Sequence, residues 1–109
     1  MNQHRPFSNM LPRIVELVAR AAAGLKYDVK EYVASESIAA ILTSLIDELT
    51  KTIVEEDEGV IRCGLCGRGP FTRKGLYLHL KRVHARQIEE LVLSELEHRV
   101  WVMKNKLNS

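Results

Sequence analysis

Four residues constrain this chain more than any others: Cys63, Cys66, His79 and His84, spaced C-x2-C-x12-H-x4-H. A tight turn can present two thiolates three positions apart, and the inner face of a helix can present two imidazoles. A tetrahedral ion of borderline softness, Zn²⁺, takes that ligand set. The stretch between them, Gly67 to Leu78, has room for a strand return and a helix start, and Gly67, Gly69 and Pro70 supply turn chemistry. Four protein ligands leave no open coordination position. The spacing therefore predicts one structural Zn²⁺ per chain and no catalytic metal. The chain has 2 cysteines in 109 residues, and both belong to this pattern. A disulfide would imply export, but the N-terminal MNQHRPFSNM has no apolar signal core. A redox C-x-x-C would need a βαβ setting, and none is visible. The expected location is intracellular, cytoplasmic or, in a eukaryote, nuclear. No apolar run is long enough to span a bilayer, so no membrane partner is expected.

The flanking sequence is patterned for helices. Residues 1–8 read as a loose polar arm. A helix starts near Asn9 or Met10, tolerates Pro12 in its first turn, and carries an apolar stripe of Leu11, Ile14, Val15, Val18, Ala21, Ala22 and Leu25. Gly24 is a helix stop. A second helical segment starts at the N-cap Asp28, with Ser35 or Ser37 able to cap a new start, and its stripe is Ile38, Ile41, Leu42, Leu45, Leu49 and Ile53. The acidic run Glu55-Glu56-Asp57-Glu58-Gly59 opposes the helix dipole and reads as a fraying linker. A last amphipathic helix, residues 87–107, carries Ile88, Leu91, Val92, Leu96, Val100, Met103 and Leu107. The expected fold is mostly α. A helical bundle or dimerisation domain (9–56) leads to a metal-binding module (60–86), which projects from it, and then to the C-terminal helix (87–107). The stripes together predict a homodimer through residues 10–54, assisted by 88–107. Loss of the metal should unfold the module while sparing much of the helical signal.

On these four ligands, with Leu76 three residues before His79 and Phe71 as a second core residue, residues 61–86 resemble the Cys2His2 zinc-finger family. The resemblance implies a β-hairpin packed on a helix, a ββα unit. It covers about a quarter of the chain. One departure is clear: four residues separate Cys66 from Phe71 where the family usually has three, so the hairpin return should differ locally. His79 and His84 are five positions apart, roughly 140° around a regular helix, so the turn from Lys81 to His84 must distort for both to reach one ion. A slighter resemblance, to half of a histone fold, covers residues 14–54. It implies a short helix, a loop, a longer helix and obligate dimers.

Charge locates the candidate binding surface. Seven of the 16 basic residues and none of the 14 acidic ones lie between Val60 and Ile88, which leaves the rest of the chain net acidic. The family resemblance and this basic concentration imply nucleic acid, DNA ahead of RNA. Arg73, Lys74, Lys81 and Arg82 on or beside the finger helix are the leading contacts, with Arg62 and Arg68 on the hairpin behind them. The positions that read bases in such fingers fall on Thr72, Gly75 and Leu78, poor equipment for bidentate base recognition, so phosphate binding is expected. The resulting expectation is a DNA-binding protein of transcriptional regulation or chromosome organisation. The alternative is an interaction adaptor whose finger contacts protein. No unassigned catalytic cluster is apparent, so neither an enzyme nor a small-molecule substrate is expected.

Overall fold

The computed structural model describes residues 9–107 and is mostly helical, with four α-helices and one small two-stranded antiparallel sheet. The polar arm expected at residues 1–8, with His4, lies outside the described residues, as does the side chain of Leu107. The first helix, α1, spans Leu11–Ala22, with Met10 as N-cap and Pro in its first turn. It ends as a glycine-capped helix should. Gly24 adopts φ 74°, its N–H donates to the Ala21 carbonyl at 3.1 Å, and Leu25 N–H donates to Arg20 at 2.8 Å. Asp28 caps only a short 3₁₀ turn, Val29–Glu31, by accepting from Lys30 N–H. Ser35 then caps α2, Glu36–Ile53, accepting from Ile38 N–H.

The acidic run is not a linker. It forms β1, Val54–Asp57, which pairs antiparallel with β2, Val60–Cys63. The helix ends at Ile53 because further acids would sit against its negative pole, and Val54 is already extended at φ −127°, ψ 142°. The next residues offset their charge across the ladder. Glu55 lies opposite Arg62, and the Glu56 carboxylate is 3.7 Å from Arg73. Glu58 (φ 52°) and Gly59 (φ 83°) close the hairpin with the two positive φ angles that a two-residue type I′ turn demands. The finger helix α3 spans Arg73–Val83, capped by the Thr72 hydroxyl accepting from Gly75 N–H, and α4 follows directly over Ala85–Leu107.

All of this is built around α1, which packs against α2, α3 and α4. Three neighbours explain why α1 is buried beyond its predicted stripe: Leu17 and Ala19 are fully inside alongside Ile14 and Val18. The finger is not a projecting module. Its Cys63, Leu76 and Leu80 belong to one continuous core with Leu45, Ile46 and Ile53 of α2 and Ile88 and Val92 of α4. The predicted stripes fail at one end of the molecule. Ile38 and Ile41 of α2 are exposed, and so are Val100 and Met103 of α4, because α4 runs past the core there. Where half a histone fold would continue from α2 into a third helix, the chain enters β1 instead. Among the described residues, no helix is long and apolar enough to cross a membrane.

Candidate metal centre

The site is assembled by three local devices. The first is the turn after β2. Gly67 N–H donates to the Cys63 carbonyl, Cys63 N–H to Arg68, and Phe71 N–H to Ile61, each at 2.8 Å, which returns the chain under its own strand. Where the resemblance implied a full second strand, the chain makes a single bridge, Ile61 to Phe71. The extra residue before Phe71 is absorbed in a turn with positive φ at Gly67 (77°) and Gly69 (147°) and a cis Gly69–Pro70 peptide. The second device is a close approach to α2. Gly64 N–H donates to the Ile53 carbonyl at 2.8 Å, and a Cβ on Gly64 would run into the backbone oxygen of Thr52. The end of α2 therefore carries the cysteine turn.

The third device is the break between α3 and α4. His84 leaves the helix at φ −118°, ψ 13°, while its N–H still donates to Leu80 and its carbonyl accepts from Ile88 N–H. That kink brings His84 round to His79, with ring centroids 4.9 Å apart and planes at 72°. The distortion expected between Lys81 and His84 falls on His84 itself.

The ligand atoms of Cys63, Cys66, His79 and His84 all lie within 4.8 Å of one another. Cys66 Sγ is 3.3 Å from His79 Nε2. A tetrahedron with bonds of about 2.0–2.3 Å has edges of roughly 3.3–3.8 Å; the 3.3 Å contact is of that size, and the four atoms together are close enough to hold a metal ion. One atom tests the fit independently. His84 Nε2 is buried without a hydrogen-bond partner, while its Nδ1 lies 2.9 Å from Gln87 Oε1. With Nδ1–H donating to Gln87, Nε2 presents a lone pair into the cluster, the arrangement a metal-ligating histidine requires. Phe71 covers the other imidazole, its ring centroid 4.7 Å from that of His79. The two thiols differ. Burial pushes the Cys63 thiol up. The Arg68 backbone N–H, then His84 and His79, pull Cys66 down to about 6.

The predicted basic contacts separate into two groups. Arg73 reaches back to α1, where its Nη1 donates to the Ala23 carbonyl at 3.3 Å, and it pairs with Glu56. Lys81 is bound to Glu16 at 2.5 Å. Glu16 also accepts from Tyr77 Oη at 2.8 Å and from Arg20 Nε at 2.6 Å. Burial alone would raise the Glu16 carboxyl; these three donors overcome it and hold it near 2. Lys74, Arg82, Arg62 and Arg68 are exposed, and none of them has an ion-pair partner among the described residues. At the base-reading positions, the Thr72 hydroxyl is occupied as the helix cap and Gly75 has no side chain. Gln87, Gly64 and Glu16 belong to the site's support although the spacing does not point to them. Gln87 lies one turn after His84, which is the signal that would have marked it. Glu16 lies more than sixty positions from Tyr77 and Lys81, and nothing local marks it.

Comparison with models of known protein families, with curated proteins and with solved structures finds no match.

Proposed function

We propose that this chain is a Cys2His2 zinc-finger protein that binds nucleic acid, DNA ahead of RNA, through phosphate contacts, in transcriptional regulation or chromosome organisation. The ion, Zn²⁺, is structural: with four protein ligands it has no open position for substrate or water, so the role is binding and not catalysis. Intracellular conditions, which keep thiols reduced, suit such a site. The observation that carries the reading is the outward face of α3. Lys74, Leu78 and Arg82 follow one another at four-residue intervals, so two unpaired cations flank an apolar side chain on one stripe. Arg62 lies on β2 and Arg68 in the turn that follows it, and the rest of the chain is net acidic. A polyanion therefore has one favourable approach.

Arg73 and Lys81 support α1 and are spent on it, so the contacts rank differently from the sequence expectation: Lys74 and Arg82 lead. The test is an anisotropy titration of zinc-loaded protein on mixed duplexes and on single-stranded RNA at two salt concentrations. Replacing Lys74 and Arg82 together by Ala should flatten the slope of log K against log salt by about two, equally for all sequences, and leave zinc content unchanged. If that variant binds as the parent does, the adaptor reading takes over, with Leu78 as the apolar contact to a protein.

A further inference from the structure

We propose that two copies of this chain associate through the outer face of α2 and the projecting end of α4, the α4 end of each lying across α2 of the other. The inference is independent of what the finger binds. The first half of α4 is anchored by Ile88, Val92 and Leu96, all buried. Beyond them, Val100, Trp101, Val102 and Met103 are 47%, 62%, 37% and 58% exposed. Four consecutive helical residues point to all sides of a helix, about 100° apart, so no single neighbouring helix of the same chain can cover them. On one side they face α2 across a groove of about 390 Å³ lined by Ile41, Val102 and Met103 with Glu95, His98 and Arg99 beside them, and Ile38, one turn along α2, is 47% exposed.

Charge identifies the occupant. Further around α2 lies a second open groove of about 800 Å³ whose lining includes Ala39 and Ala40 and whose exposed Asp28, Glu36, Asp47 and Glu48 give it an acidic rim. The one cation on that rim, Lys30, is 3.5 Å from Glu36. The α4 end, with Val100 to Met103 exposed and Lys104 just beyond, complements this groove: an aromatic for the small Ala39 and Ala40 and a cation for the acidic rim. Both halves of the complementary pair are on the same chain, and a two-fold axis uses each twice, closing the contact without leaving a free end. The small net charge of +2 gives two copies little cause to repel. The assembly would carry two fingers.

Sedimentation equilibrium of the zinc-loaded full chain from about 1 to 100 μM tests this, and twice the chain mass is expected. Trp101→Glu should weaken the dimer by about 30-fold or more, because a central aromatic anchor is lost. Lys104→Glu should weaken it less, and Asp47→Lys with Glu48→Lys in that background should restore it. These positions are exposed, so circular dichroism should show every variant folded. A parent chain that stays monomeric overturns the proposal and leaves a different protein as the occupant of this face. A dimer indifferent to both Trp101→Glu and Lys104→Glu overturns it as well, since the interface would lie elsewhere.

Discussion

At the scale of single residues, the candidate metal centre rests as much on its supporting residues as on its four candidate ligands. Removing the His84 imidazole removes a ligand outright. Gln87→Ala should instead lower zinc affinity by about 10-fold or more, since only the orienting hydrogen bond to Nδ1 is lost. A competition titration against a chromophoric chelator measures both, and equal affinities for parent and Gln87→Ala would remove Gln87 from the site. Gly64→Ala is a different kind of lesion. The added methyl meets backbone at Thr52, not a flexible side-chain end, so relief requires moving the cysteine turn off α2. A loss of about 1–3 kcal/mol in urea denaturation is expected, with weaker metal binding. The four ligands were legible in the sequence because their chemistry is carried by residue type and spacing. The role of Gly64 was not, because it depends on a carbonyl twelve residues earlier in the chain that only the fold brings near.

At the scale of elements, the contact between α1 and α3 decides what the finger's cations do. Glu16 collects Lys81, Tyr77 and Arg20 into one network between the two helices. Its carboxyl falls from an ordinary 4.5 to about 2 in the folded chain, so the unfolded chain takes up the proton first as pH drops. The stabilisation is complete above about pH 4.5 and disappears as the pH approaches 2. A shift of that size is worth about 3 kcal/mol at most, and solvent at the edge of the network trims it to about 1–2 kcal/mol. Glu16→Gln should therefore cost about that much at pH 7, with the difference from the parent closing toward pH 2. Paired urea titrations at matched zinc concentration would show it, and a constant difference across pH would refute it. Periodicity made α1, α2 and α4 readable; of the two serines that could cap α2 the fold uses Ser35, and Asp28 caps only the short 3₁₀ turn before it. It missed β1 because Glu55-Glu56-Asp57 has no apolar alternation. The strand is exposed, and it is held by the hairpin turn and by charge opposite Arg62 and Arg73.

At the scale of the whole molecule, the finger and the helices share one core, and that changes what metal removal does. Binding free energy for zinc in finger peptides is on the order of 10–16 kcal/mol, comparable to the entire stability of a typical small domain. Cys63, Leu76 and Leu80 are packed with α1, α2 and α4, so losing the ordered finger withdraws one wall of the core. Chelation should therefore reduce helical dichroism by far more than the 11 residues of α3 account for, in a single transition. A finger that melts alone, with the remaining helices intact, would refute the shared core and restore the expectation of an independent module. What the sequence by itself determined are the features local in the chain: ligand identity and spacing, helix caps, apolar periodicity, and the concentration of positive charge around the finger. What only the tertiary structure decided is how those pieces are spent. It placed α1 between three neighbours, tied Lys81 and Arg73 to α1 and β1, left Lys74 and Arg82 exposed without ion-pair partners among the described residues, and carried the end of α4 past its core. The physical reason is that each of these outcomes depends on contacts between residues far apart in the chain. No local pattern encodes which charge meets which, or which apolar face is left without a partner.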